Sequence, residues 1–354
     1  MKKILAMLLA AALVLALAAC ASSTPAADTA STTTEQPADT AAAADDTAAP
    51  AEDAAETAAD ESGKTYTVGV CQLVQHEALD AATQGFVDAL KEELGDAVTV
   101  DVQNASGDSV NCGTIVNGFV SKGVDLIMAN ATPALTAAVS ATADIPILGT
   151  SITAYGVALD MDDFNGTVGG NVSGTSDLAD LQAQADMILE WFPETKTVGL
   201  LFCSAEPNSR YQIDEVRKAL EAKGVTCEEF AFTDSNDVSS VTQKAADSVD
   251  VVYIPTDNTA AANTEAIANV LIPAGIPAIC GEEGICRGCG VATLSISYYD
   301  LGVTTGKMAA KILKGEADIS EMPVEYTDAT PKYNASVCEQ LGITPLEGYE
   351  AIEG

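Results

Sequence analysis

Val68-Gly69-Val70-Cys71 and Val198-Gly199-Leu200-Leu201-Phe202-Cys203 are two short apolar runs, rich in β-formers, and each is the first strand of a series of alternating segments. The first belongs to a β-rich run over residues 65–73. It is followed by Leu79, Ala82, Phe86, Ala89, Leu90 and Leu94 at helical spacing. The same unit recurs, predicting strands over 98–102, 125–129 and 146–149 and helices over 110–121 and 133–142. The second series predicts a helix over 177–191, then strands over 197–202, 226–230, 251–254 and 278–280. Helices over 211–223, 238–248 and 259–271 separate them. Strands that alternate with helices of this length form parallel sheets covered on both faces, joined by right-handed crossovers. The expected fold class is therefore α/β, with two similar parallel-sheet lobes in tandem.

The correspondence extends past the strands. Ala129-Asn130-Ala131-Thr132 in the first series matches Ile254-Pro255-Thr256-Asp257-Asn258 in the second. Ligands of open α/β sheets bind beyond the carboxyl ends of the strands, so a ligand shared by both lobes belongs in the cleft between those ends. The glycine-rich segment 166–174 reads as a lobe-crossing hinge. After a strand over 291–297, residues 298–313 form an amphipathic helix with Leu301, Thr305, Met308 and Ile312 on one face.

The N-terminus has a different character. Met1-Lys2-Lys3 leads into an apolar stretch over 4–19 that ends in Leu17-Ala18-Ala19-Cys20. That stretch is too short for a spanning helix, which needs about 20 apolar residues, and it has the build of a cleaved export signal. The pattern resembles a bacterial lipobox. The resemblance implies that residues 1–19 are removed and that Cys20 is lipidated, which holds the protein on the extracytoplasmic face of the bacterial cell membrane. Residues 21–62 contain only small and acidic or polar types, with no Lys, Arg or aromatic residue. Such a composition cannot bury enough apolar surface to order itself, so residues 20–63 read as a disordered acidic tether. The formal charge of the chain, -36, excludes nucleic acid and docking on anionic lipid through a basic patch.

Within the globular part the loops at the strand ends are polar where the strands are not: Gln72, Gln75-His76-Glu77, Asn104, Thr132 and Thr150-Ser151 in the first series. Ser204, Asn208-Ser209, Thr256-Asp257-Asn258 and Glu282 are their counterparts in the second. Hydroxyls, amides and carboxylates converging on a cleft suit a zwitterion, with Asp257 and Glu282 as natural partners for an ammonium group. The competing role for each is a helix cap, and Thr132 before Pro133 has the form of an N-cap.

Enzyme readings find little support. His76 is the sole histidine, no nucleophile elbow is present, and the 166–174 segment lacks the Lys of a phosphate-binding loop. Cys286-x-x-Cys289 is placed in a glycine-rich loop, with no further ligands at zinc spacing, so neither metal nor cofactor is expected. Cys71 and Cys203, at equivalent strand ends, have the placement of a two-cysteine amino-acid racemase, but Gln72-Leu73 and Ser204-Ala205 follow them where that chemistry has Asn-Thr or Thr-His. Buried strand cysteines are the simpler reading.

Several stretches together resemble the tryptophan/tyrosine-type substrate-binding proteins of ABC transporters, which have the type I periplasmic-binding-protein architecture. They are His76-Glu77-Ala78-Leu79-Asp80, Asn130-Ala131-Thr132-Pro133-Ala134, the run 170–177, Glu206-Pro207-Asn208-Ser209, Pro255-Thr256-Asp257-Asn258 and the run 302–308. The resemblance implies two Rossmann-like lobes joined by three crossovers and closing on a ligand by hinge bending. Lobe 1 would take 64–175 plus about 296–322, and lobe 2 would take 176–295 plus about 323–345. It implies ligand contacts from Gln72, Thr132, Thr150, Ser151, Asn208 and Ser209, and from Thr256, Asp257, Asn258 and Glu282. Tyr155 lies where the sequence departs from the family pattern, and it would either stack on an aromatic ligand or occlude the pocket. The implied function is capture of an aromatic or apolar amino acid by a monomer that delivers it to a permease and ATPase. An extracellular sensor, or a nucleoside or peptide binder on the same fold, is the alternative.

Overall fold

A computed structural model of the chain describes residues 63–352. The expected signal segment, the Cys20 lipidation site and all but the last residue of the expected tether lie outside the described residues.

The first lobe is built from β1 (Tyr66–Gln72), α1 (Glu77–Leu94), β2 (Val98–Asn104), α2 (Ser109–Lys122), β3 (Leu126–Asn130), α3 (Thr132–Ala141), β4 (Ile147–Ile152), α4 (Tyr155–Ala158) and β5 (Val172–Ser176). The chain then enters the second lobe with α5 (Leu181–Trp191), β6 (Thr197–Cys203), α6 (Pro207–Glu221), β7 (Thr226–Phe232), α7 (Val238–Ala246), β8 (Val251–Ile254), α8 (Asn258–Ala261), α9 (Thr264–Ala274), β9 (Ala278–Cys280), α10 (Glu283–Cys289) and β10 (Ala292–Ser295). It returns to the first lobe for α11 (Tyr298–Lys314) and β11 (Glu325–Tyr326). It finishes in the second with β12 (Thr330–Tyr333), α12 (Ala335–Leu341) and β13 (Glu350–Ala351).

The sheet orders are β11-β5-β4-β3-β1-β2 and β13-β12-β10-β9-β8-β6-β7. All neighbours run parallel except β10 and β12. The strands β1, β3, β4, β6, β8 and β9 are nearly continuous runs of buried residues, because helices cover both faces of each sheet. The α/β class with two parallel-sheet lobes is thus the observed architecture.

Three features differ from the sequence reading. The glycine-rich 166–174 segment is not the crossing; it turns at Gly169 and Gly170 and enters β5, still within the first sheet. Gly174 is required there because its φ is +144° and a Cβ would collide with the Gly149 carbonyl oxygen of the neighbouring strand. The last crossing falls after Tyr326, because β11 pairs with β5, and the second lobe runs on past 345 to β13. Cys286 and Cys289 sit on the short helix α10, capped by Glu282, and not in a loop.

The returning helix α11 lies hard against α1. A Cβ at Gly302 would meet the Ala82 carbonyl oxygen, and one at Gly85 would meet that of Tyr299, so the backbones touch only because glycine stands on both sides. The start of α11, Tyr298, is thereby fixed at the junction of the lobes.

Candidate functional site

The carboxyl ends of both sheets face one another across a cleft that is shut to a cavity of about 10 Å³, room for about one water molecule. The first lobe and its crossover supply His76, Leu79, Ser151, Thr153 and Asp177. The second supplies Asn208, Thr256, Asp257, Asn258, Ala261 and Glu282, and Tyr298 comes from the returning helix. No Lys or Arg is among these residues. The lobes also touch at the cleft mouth. His76 Nε2 lies 3.3 Å from Asn258 Oδ1, and the Arg287 guanidinium is 3.1 Å from Glu77 Oε1.

The acids of the second lobe are committed to its own framework. Asp257 Oδ2 accepts the Cys203 N–H at 2.6 Å, and its Oδ1 accepts the Ala260 N–H at 2.8 Å as the N-cap of α8. The Ser209 hydroxyl binds the same carboxyl. Glu282 caps α10, with Oε1 accepting from Ile285 N at 2.5 Å and Oε2 from Gly284 N at 2.6 Å. Glu206 is buried and accepts from both N–H groups of Asn258 and both donors of Thr259, at distances from 2.7 to 3.0 Å. Burial without a counter-charge pushes the Asp257 carboxyl up to about 8, with the nearby Glu206 charge adding to the shift. Burial pushes Glu282 up to about 7.

Asp177 is different. It follows β5 at the first crossing, is buried, and accepts the Tyr298 hydroxyl at Oδ2, 2.9 Å away. Its Oδ1 has no partner at hydrogen-bond geometry, although the Thr153 hydroxyl lies close enough to act on the carboxyl, and burial raises that carboxyl above the ordinary range. Two other buried atoms on the same cavity are equally unpartnered, Ser151 Oγ and Asn208 Oδ1. Ser151 is aimed there by a left-handed backbone, φ 55°, at the irregularity that interrupts the β4–β5 pairing between Gly149 and Ile152. Asn208 is held by its Nδ2, which donates to the Thr256 carbonyl at 3.2 Å and to Glu206 Oε2 at 3.3 Å. Unsatisfied buried polar atoms are rare in proteins, and three on one cavity mark the place where a polar ligand completes the bonding.

Of the residues expected at the site, the structure brings Ser151, Asn208, Thr256, Asp257, Asn258 and Glu282 to the cavity. Ser209 stands one layer behind, against Asp257. Gln72 is locked inside the first lobe, bonded to Asp80, Thr83 and the Val74 carbonyl. Thr150 forms a buried hydroxyl cluster with Thr175 and Thr305 beneath α11. Thr132 is the first residue of α3, not its cap, which is Ala131 with φ 87°. Tyr155 is buried away from the cleft, its hydroxyl donating to the Thr175 carbonyl at 3.2 Å and its ring stacked on Phe164, so it neither stacks on a cleft ligand nor blocks one.

The sequence reading of the site lacked Thr153, Asp177, Tyr298 and the buttress Glu206. Asp177 carried one signal: it is the only acid in the run 170–177, directly after a stretch of small residues.

The eight described cysteines are free thiols. Cys71 is buried beside Cys112 in the first lobe, and Cys203 donates to the Thr233 carbonyl in the second. Neither lines the cavity, and burial pushes the Cys203 thiol up to about 11. The proton-exchanging pair that a racemase needs is not assembled.

The ABC transporter substrate binding protein family model matches residues 67–349. A tyrosine-binding protein of Clostridioides difficile is 32% identical over 276 residues, covering 76% of this chain and 79% of that protein. Among solved structures, the ABC domain from Streptococcus pneumoniae in complex with L-Trp is 32% identical. It covers 82% of this chain and 100% of its own, with a TM-score of 0.77. A ligand-free, open substrate binding protein with adhesive properties from Clostridium difficile is 34% identical. It covers 82% of this chain and 99% of its own, with a TM-score of 0.63. At nearly equal identity the lobes here match the tryptophan complex better than the open form, in keeping with the shut cleft. On this evidence the chain belongs to the ABC transporter substrate binding protein family and is a solute-binding protein, not an enzyme.

Proposed function

We propose that this protein captures an α-amino acid with an aromatic side chain in the interlobe cleft and hands it to the permease of an ABC importer. The observation that carries the reading is the trio of unpartnered buried atoms. Asp177 Oδ1 and Asn208 Oδ1 are acceptors placed for an ammonium group, and the Ser151 hydroxyl is a donor for a carboxylate. A lining with three acids and no Lys or Arg adds preference for a ligand that brings positive charge. The tyrosine-binding and tryptophan-bound relatives support the aromatic side chain. Leu79, Ala261 and Tyr298 offer it apolar surface once the lobes part to admit it.

The N-terminal sequence supports a lipid-anchored location. Its Leu17-Ala18-Ala19-Cys20 end is suited to lipidation and its acidic 21–62 run to a tether outside the cytoplasm.

Isothermal titration of the protein, unfolded and refolded to strip carried-over ligand, against the amino acids tests the first part. Tyrosine, tryptophan or phenylalanine is expected to bind at micromolar or tighter, about -8 kcal/mol. Silence across all the amino acids would overturn the ligand class. Labelling of growing cells with a radioactive fatty acid tests the anchor, with incorporation expected in the native chain and none in Cys20→Ser.

A further inference from the structure

A second cavity lies outside the cleft, where the crossover segments leave the first lobe. It has a volume of about 470 Å³, within the range of small-molecule sites. Tyr155, Met161 and Phe164 form one wall, from the segment after β4. Tyr211 of α6 comes from the other lobe, and Tyr326 of β11 closes the side. Tyr155 is buried and stacks on Phe164 with centroids 6.2 Å apart and planes 17° from parallel, which holds the Phe164 ring in place at the pocket. Tyr326 is 55% exposed, a large ring left uncovered at the mouth. The remaining charge in the lining is Asp160 and Asp162. No Lys, Arg or His accompanies them, and among the described residues neither carboxylate takes part in an ion pair or side-chain hydrogen bond.

We propose that this pocket is a second binding site, for a small aromatic monocation. The partly exposed rings of Phe164, Tyr211 and Tyr326 attract a cation through their quadrupole, and the two carboxylates supply the matching charge at the rim. An anion would meet only like charge, and a neutral apolar molecule would leave the carboxylates unanswered. The site is separate from the amino-acid cleft, since the two cavities share one residue, Thr153, at their common wall. It takes residues from both lobes, so its geometry exists when they are closed.

Benzyltrimethylammonium is a suitable probe because it has no N–H to offer the acceptors of the cleft. Titration followed by ligand-detected NMR is expected to show saturable binding below about 10 mM. Binding is expected to weaken about fivefold in Tyr326→Ala and by a similar factor in Asp160→Asn/Asp162→Asn. Benzyl alcohol, the neutral counterpart, is expected to bind more weakly than the cation. These positions are exposed at the pocket mouth, so unchanged melting temperatures will show that the variants fold. No saturable binding, equal binding of the neutral probe, or affinity that survives both variants would overturn the proposal.

Discussion

Asp177 and Asp257 line one cavity, both buried and both raised above the ordinary carboxylate range by that burial, yet they stand in opposite positions. Asp257, in the second lobe, has every oxygen occupied by backbone donors and Ser209. Asp177, on the crossover, accepts the Tyr298 hydroxyl, has that of Thr153 nearby, takes no backbone donor from a helix and keeps Oδ1 unbonded. Proximity to a cleft therefore does not assign an acid to the ligand. What matters is whether its lone pairs are already taken. A carboxylate at a helix N-cap belongs to the scaffold even when a ligand passes beside it.

The largest expected effect follows directly. Asp177→Ala should weaken amino-acid binding by roughly 30- to 100-fold, about 2–3 kcal/mol for a charge-assisted bond to the ammonium. Its melting temperature should hold or rise, since an incompletely bonded buried acid is removed. Affinity unchanged within twofold, together with a fall in melting temperature, would break the contrast. Asp257→Ala should do the reverse. Leaving the Cys203 and Ala260 N–H donors without their acceptor costs about 1–3 kcal/mol, seen as a drop of about 2–4 °C per kcal/mol, with a smaller loss of affinity. Calorimetric melting of both variants beside their titrations makes the comparison.

Acidity sharpens it further. Asp257 at about 8 and Glu282 at about 7 are raised well above their unfolded values of about 3.9 and 4.3. A raised folded pKa means that the folded state holds more protons between the two values. The contribution is therefore fully present below the unfolded pKa and is lost as pH rises through the folded one. Ligand-free protein should thus melt at progressively lower temperature from about pH 5 to about pH 8. Asp257→Asn should flatten that slope, and an unchanged slope would remove Asp257 as its source. The smallest effect is expected from Tyr298→Phe, which deletes the donor to Asp177 Oδ2 and should cost about threefold in affinity, near 0.5–1 kcal/mol. No change in titrations at matched pH would show that Tyr298 only fills space.

The strands and most helices were legible because periodicity and burial coincide along them. Residues 197–202 were predicted as a strand and lie within β6, and 298–313 were predicted as a helix and lie within α11. Short elements were not legible. β5 reads as a glycine-bearing polar run because its residues pack against other strands and Tyr155, not against helices alone. α10 is seven residues long and is set by the Glu282 cap more than by any apolar stripe. At the site, sequence placed Ser151, Asn208 and Asp257 at strand ends, but not which of them was free to bond a ligand. That depends on donors such as Cys203 N and Ala260 N, whose positions only the folded chain fixes. Asp177 sits at a crossing, which has no periodicity to mark it as a site residue.

The chain passes between the lobes three times, after Ser176, after Ser295 and after Tyr326. No contiguous stretch of the gene therefore encodes one lobe. A frameshift after Ser295 would strip the first lobe of the helix lodged against α1 and the second of β12 and β13, spoiling both halves at once. The two lobes must be inherited and synthesised together, and neither can be traded between relatives by a single recombination break.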